Sequence, residues 1–181
     1  MSPSLIEFTI LGLYAVFLIC FCIIFVSFLY SHIVGAPYVT TTIKQVMKIM
    51  HAYPFPHHAY VIELGSGDGR FLRYAAKEYK ADGYGVDLNP VVIFWSNILA
   101  RIDKVKIRFY RKNIFSVPLK DADVVYLFLL PEVIVKLKPK LEEELKKGSL
   151  VITHGFRIDG WEERLLYLLP DKPFFTFYYK M

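Results

Sequence analysis

The apolar positions of this chain fall into two regimes. From Phe8 to Tyr30, 23 consecutive residues carry no formal charge and are rich in Phe, Leu, Ile and Val. As a helix they span roughly 34 Å, enough to cross a bilayer, and they are apolar all round where a core helix would carry a polar stripe. A cleaved signal peptide fits less well. Glu7 and no Lys or Arg precede the run, and Phe28-Leu29-Tyr30-Ser31-His32 offers no small-x-small site. Residues 1–34 are therefore read as an N-terminal segment with a transmembrane helix over about 8–30, and residues 35–181 as one domain.

Beyond Gly35 and Pro37 the pattern becomes periodic. Ile43, Val46, Met47 and Met50 recur at helical spacing until Pro54 and Pro56. A buried strand at Tyr60–Leu64, a helix over about Gly69–Tyr79 and a strand at Gly83–Asp87 make a βαβ unit. Asn89 is placed to cap a helix opening at Pro90, with Val91, Val92, Trp95, Ile98, Leu99 and Ile102 on one face. Strands follow at about Lys106–Tyr110, Asp123–Leu129 and Ser149–Thr153. Pro131 opens a helix carrying Ile134, Leu137, Leu141 and Leu145, in which Pro139 predicts a kink. The aromatic run Phe174–Tyr179 reads as a last strand. This alternation predicts an α/β fold, a Rossmann-like, mostly parallel sheet with helices on both faces that binds ligands at the carboxyl ends of its strands.

Composition adds three constraints. The 55% hydrophobic content is local, since one apolar helix is added to an ordinary domain. Cys20 and Cys22, the only cysteines, lie inside the apolar run and form no domain-stapling disulfide, which fits a reducing compartment. No Lys or Arg precedes the run, whereas Lys44 and Lys48 follow it closely, so the domain is expected on the cytoplasmic side. The net charge of +5 suits a domain beside anionic headgroups. Lys104, Lys106, Arg108, Arg111 and Lys112 alternate with Val105, Ile107 and Phe109 and read as the solvated face of a strand, so nucleic acid is not an expected partner. His57 and His58 are adjacent, and nothing near them completes a metal site.

The candidate chemistry begins where the first strand turns into the first helix, at Glu63-Leu64-Gly65-Ser66-Gly67-Asp68-Gly69-Arg70. Gly65 permits the tight turn, Gly67 exposes bare backbone to a ligand and Gly69 lets helix and strand approach. Asp87 ends the second strand 20 residues after Gly67, where a carboxylate can accept from both ribose hydroxyls of an adenosine. The spacing is G-x-G-x-G, and Arg70 stands where a dinucleotide loop needs its last glycine. No Gly-Lys-Ser/Thr follows, which excludes a Walker loop. S-adenosylmethionine is the expected cofactor.

These residues resemble a known family, the class I (seven-β-strand) lysine methyltransferases that act on the adenine nucleotide translocase and an ATP synthase subunit, with their prokaryotic relatives. The likeness is carried by Gly35-Ala36-Pro37-Tyr38-Val39, Leu64–Arg70, Asp87-Leu88-Asn89-Pro90, Leu130-Pro131-Glu132-Val133 and the leucine-spaced helix before Gly148, and runs from about Gly35 to Trp161. It implies that Glu63, Gly65, Ser66, Gly67 and Asp68 line the methionine end of the cofactor. Asp87 with Leu88 would hold the ribose, and Asn113 with Ile114 would edge the adenine. Tyr38, Thr40 and their neighbours to Thr42 would form a lid. Asn113 departs from an acid that many relatives carry. The short C-terminal portion leaves room for a missing seventh strand.

The resemblance implies methyl transfer to a neutral lysine amine of a protein substrate, membrane-embedded or membrane-associated. Glu132 and Tyr126 are candidates for catalytic roles, with His154 behind them; each has an ordinary reading, as a first-turn helix acid, a buried strand aromatic and a structural histidine. A small-molecule or lipid methyltransferase, and a silent cofactor-binding scaffold, are the rival classes. The expected location is a single-pass membrane protein with a cytoplasmic domain, in a prokaryotic plasma membrane by preference or a mitochondrial membrane if the source is eukaryotic.

Overall fold

The computed structural model describes residues 3–33 and 41–181. Helix α1 spans Pro3–Ile33 and contains Ile6–Ile23, a window long and apolar enough to cross a membrane by length and composition. It belongs to one compact unit, and Val39–Met181 forms the other.

The second unit opens with α2, Ile43–Ala52. Thr42 and Gln45 close a capping box in which the Gln45 amide donates to Thr42 Oγ1 at 3.2 Å and the Thr42 amide donates to Gln45 Oε1 at 2.8 Å. The remaining helices are α3 (Arg70–Tyr79), α4 (Pro90–Ile102) and α5 (Pro131–Glu144). Asn89 caps α4 as expected, accepting from the Val91 and Val92 amides at 3.0 and 3.3 Å, with Pro90 at the first position. Helix α5 runs unbroken through Pro139. The carbonyl four residues earlier belongs to exposed Val135, on the water side of the helix.

Seven strands form one mixed sheet in the order β3-β2-β1-β4-β5-β7-β6: β1 Tyr60–Leu64, β2 Asp82–Asp87, β3 Arg108–Arg111, β4 Val124–Leu127, β5 Leu150–Gly155, β6 Leu165–Leu169 and β7 Phe175–Lys180. Strands β1 to β5 pair in parallel, and β7 is antiparallel to both of its neighbours. The expectation of a missing seventh strand is therefore corrected. The shortening falls on helix instead, because residues 156–164 join β5 to β6 with only a 3-10 turn at Glu162–Arg164. Leu165, Leu166, Tyr167 and Leu168 on that edge strand stay 38–41% exposed as a result.

Register divides the core into two layers. Phe109, Gly85, Glu63, Tyr126, Ile152 and Tyr178 lie in one row across the sheet. That face packs against Val46 and Ile49 of α2, Phe71, Leu72 and Ala75 of α3, and Ile93 and Ala100 of α4. Ile62, Val125, Val151 and Tyr179 form a row on the other face, under Ile134, Leu137 and Leu141 of α5 and Trp161. Burial on both faces explains why β1 and β4 read as nearly continuous apolar runs. At the β3 edge, Asn97 of α4 gives its amide to the Phe109 carbonyl at 2.9 Å and accepts from the Phe109 amide at 3.1 Å, which occupies backbone groups that an edge strand would leave open.

Candidate active site

Successive strands step outward from β1 in one direction to β2 and β3 and in the other to β4 and β5, so a crevice opens at the carboxyl end of β1. The glycine loop occupies it. The Gly65 and Ser66 amides both donate to the Val86 carbonyl at 2.9 Å, which ties the start of the loop to β2. Gly65, Gly67 and Gly69 all have positive φ (73°, 52° and 72°), a conformation in which a side chain is strained. At Gly69 space is lacking as well, since a Cβ would lie 2.1 Å from Phe109 Cζ.

A glycine N-cap brings no side chain to the first turn of α3, and two carboxylates take that part. Asp68 Oδ1 accepts from the Arg70 amide at 3.2 Å, and Glu63 Oε2 accepts from the Leu72 amide at 3.2 Å. Glu63 is only 4% exposed. Burial, reinforced by nearby Asp68 and Asp87, pushes its pKa well up against the opposing pull of the Leu72 amide and Arg73. Asp87 completes the acidic set: Oδ2 accepts from the Gly67 amide at 3.1 Å and Oδ1 from the Asn89 amide at 2.9 Å. Its carboxylate therefore lies against the loop at the end of β2. The Lys112 amide donates to the Asp87 carbonyl at 3.2 Å, which brings Asn113 and half-buried Ile114 beside the same strand end. Asn113 accepts from the Phe115 amide at 3.0 Å and starts a 3-10 turn, while Leu88 lies exposed next to Asp87.

Not every candidate reaches this mouth. Ser66 turns its side chain toward Gly85, and its hydroxyl is buried without a hydrogen-bond partner among the described residues, so its contact with a ligand would be through backbone. Tyr126 neighbours Glu63 on β4, 3% exposed, its ring stacked on Phe71 at 3.6 Å between centroids. Burial drives its phenol pKa far up, so it stays protonated and is no general base. Glu132 is exposed in the first turn of α5. Tyr38 and Thr40 lie outside the described residues.

Two features escaped the sequence reading. Arg70 pairs with Asp68, its Nε donating at 2.9 and 3.0 Å to the two carboxylate oxygens, and also donates to the Thr41 carbonyl, tying the loop to the lead-in of α2. Next to the mouth, Phe128, His154 and Phe174 pack edge to face with centroids 4.7, 5.2 and 5.8 Å apart. His154 is 1% exposed, its Nδ1 lies 2.8 Å from Thr176 Oγ1, and burial lowers its pKa to about 4, so it is neutral at physiological pH. The short Asp68–Arg70 spacing was visible in the sequence. The aromatic trio joins residues too far apart in the chain for any local pattern to signal.

Strand order, glycine loop and the carboxylate closing β2 define a class I S-adenosylmethionine-dependent methyltransferase. Comparison with known proteins gives the particular family. Residues 63–164 match the ANTKMT methyltransferase domain, and the chain belongs to that family. It is 36% identical over 146 residues to a protein-lysine N-methyltransferase of Saccharolobus islandicus, covering 78% of this chain and 89% of the relative. It is 30% identical over 135 residues to the adenine nucleotide translocase lysine N-methyltransferase of Mus musculus, covering 70% of this chain but 56% of that one, so it spans about half the length of such relatives. Among solved structures, an RNA methyltransferase of Salinibacter ruber bound to S-adenosyl-L-homocysteine superposes with a TM-score of 0.74 at 27% identity, over 78% of this chain and 93% of that one.

The residues present fit the cofactor. Asp87 accepts from the backbone of half-buried Gly67, and Asp68 and Glu63 accept from first-turn amides of α3 at the end of the same loop. Such a set offers acceptors to an ammonium and to ribose hydroxyls.

Proposed function

We propose that this chain is a membrane-anchored protein-lysine N-methyltransferase that holds S-adenosylmethionine along the loop from Glu63 to Asp68, with Asp87 and Leu88 at its ribose and Asn113 and Ile114 at its adenine. The acidic glycine loop carries the cofactor assignment. The names of the Saccharolobus and Mus relatives support a lysine acceptor, and the length and composition of α1 support an anchor, with the catalytic domain on the cytoplasmic side. The favoured setting is a prokaryotic plasma membrane, or a mitochondrial one in a eukaryotic source.

Bound cofactor supplies an electrophilic methyl group on a sulfonium, with a neutral thioether as leaving group. The chain's own part is alignment. Asp87 would accept from ribose hydroxyls and the glycine backbone would seat the methionine end, with the methyl group supplied to an acceptor at the carboxyl edge of the sheet. Alignment of this kind is worth several kcal/mol, and an amine that arrives neutral needs no strong base. Glu132, exposed beside the end of β4, draws a lysine ammonium toward the mouth; the apolar wall of Phe128 and Phe174 favours its deprotonated form by desolvation.

Full-length protein with methyl-labelled S-adenosylmethionine, incubated with membranes and with soluble extract, tests this reading. Label is expected in a membrane-protein band that yields methyl-lysine on hydrolysis. Label in extracted lipid would replace the lysine acceptor by a lipid, and label in RNA would favour the chemistry named for the Salinibacter relative. No transfer by a chain that binds cofactor would leave a scaffold.

A further inference from the structure

Helix α4 has two apolar faces, and only one is used. Ile93, Ser96 and Ala100 are buried against the sheet. On the opposite side Phe94, Trp95 and Ile102 are 69%, 51% and 66% exposed, in line with half-buried Val91 and Ile98. The stripe follows helical spacing over the whole element, so it is one surface and not a scatter of single residues. Exposed Leu88 precedes its N-terminal end and exposed Phe115 lies at the nearby end of β3.

The charge around the stripe is of one sign. Between residues 88 and 115 there are six basic residues, Arg101, Lys104, Lys106, Arg108, Arg111 and Lys112, against one acid, Asp103, which is paired with Arg73. Arg101 lies on the Phe94 side of α4, one heptad on. Arg111 donates through Nε to the Leu88 carbonyl at 3.2 Å, so cationic groups flank both ends of the stripe. Aromatic and branched side chains rimmed by Lys and Arg match an anionic bilayer interface, with apolar groups in the acyl boundary and cations at the phosphates. A polyanion such as RNA would satisfy the cations and leave Ile98 and Ile102 in water.

We propose that the outward face of α4 docks onto an anionic membrane surface, Phe94, Trp95 and Ile102 entering the headgroup layer while Arg101, Lys104 and Arg111 meet lipid phosphates. This extends the membrane placement proposed above, and the two can fail separately. Docking would hold the mouth, which opens beside the N-terminal end of α4, at bilayer height and favour lysines that emerge close to the headgroups.

The chain has two tryptophans, exposed Trp95 and Trp161, which is 1% exposed, and none in α1. Tryptophan emission therefore reports on this face. Full-length protein is mixed with vesicles of phosphatidylcholine, with or without phosphatidylglycerol, whose acyl chains carry bromine quenchers. The expected result is a blue-shifted, quenched emission in anionic vesicles, absent in Trp95→Phe. Neutralising Arg101, Lys104 or Arg111 to Gln should each lower the docked-to-undocked ratio about fivefold. A chain that floats with the vesicles while Trp95 emits as if in water overturns the inference and leaves the anchor standing. Quenching that persists in Leu18→Arg, with a charge placed in the middle of α1, shows that the α4 face docks without the anchor and supports the inference. Shielding of Trp95 by RNA or by a second copy, without lipid quenching, overturns it.

Discussion

Replacing Asp87 by alanine separates its two jobs. In the free protein its carboxylate accepts from the Gly67 and Asn89 amides at 3.1 and 2.9 Å. In the complex the same oxygens have acceptor capacity left for two ribose hydroxyls. Bonds to a charged group contribute about 1.5–3 kcal/mol each, so losing both ribose contacts should cost about 3 kcal/mol of binding, a rise in Kd of roughly 150-fold. The partly solvated amides cost less when freed, about 2 kcal/mol together, which for a domain of this size lowers Tm by roughly 4–8 °C. Asp87→Asn keeps one acceptor oxygen and should weaken binding only about tenfold. Calorimetric titration of S-adenosylmethionine, with thermal unfolding of the free variants, reads both effects. A folded Asp87→Ala chain that melts lower yet binds within about threefold of wild type would reduce Asp87 to a latch for the loop and refute its role at the ribose.

Three further outcomes follow from the same geometry. Gly69→Ala combines a positive φ with a clash against Phe109 and should lose about 3 kcal/mol of stability in urea unfolding, whereas a loss under 1 kcal/mol would mean that the ring moves freely. His154 titrates near 6.5 unfolded and about 4 folded, so the unfolded chain binds the extra proton and stability rises with pH across that window. The rise is at most about 3 kcal/mol, and His154→Asn, which can still meet Thr176, should flatten it. Glu63 has the opposite sign. Its folded pKa is raised, so its contribution is complete below the unfolded value of 4.5 and fades as pH climbs through the folded one. Glu63→Gln should gain on wild type progressively above pH 4.5, and a constant difference from pH 5 to 8 would contradict the burial argument.

The elements built on strong local rules were legible in the sequence. Strand β1 and its loop stood out because a strand buried on both faces reads as an apolar run and the glycines mark the turn. Asn89-Pro90 announced α4 through capping chemistry, and the structure supplies both hydrogen bonds. Strand β6 was missed because Leu165-Leu166-Tyr167-Leu168-Leu169 has no alternation, and an apolar run of that length does not distinguish strand from helix. The capping parts of Glu63 and Asp68 were equally hidden, since they depend on Gly69 bringing no side chain to the first turn of α3. His154 looked like a lone structural histidine until Phe128 and Phe174 came to it from β4 and from the residues before β7.

Both edges of the sheet leave apolar groups in water, but for different reasons. At the β6 edge the cause is local: residues 156–164 form no helix that could cover the strand, so its leucines remain half-exposed whatever the protein does. At the β3 edge no element is missing. Helix α4 already covers its strand with Ile93 and Ala100, and Asn97 occupies the backbone of Phe109. An outer-layer helix that has filled its inner face would ordinarily present charge outward, as a surface helix does, whereas apolar residues on both sides are the pattern of a helix with a second low-polarity neighbour. The excess at Phe94, Trp95 and Ile102 thus follows from the residues themselves and not from a gap in the fold. With cations at both ends of the stripe, that neighbour is better matched by an anionic lipid surface than by another apolar protein face, against which buried Lys and Arg would need carboxylate partners.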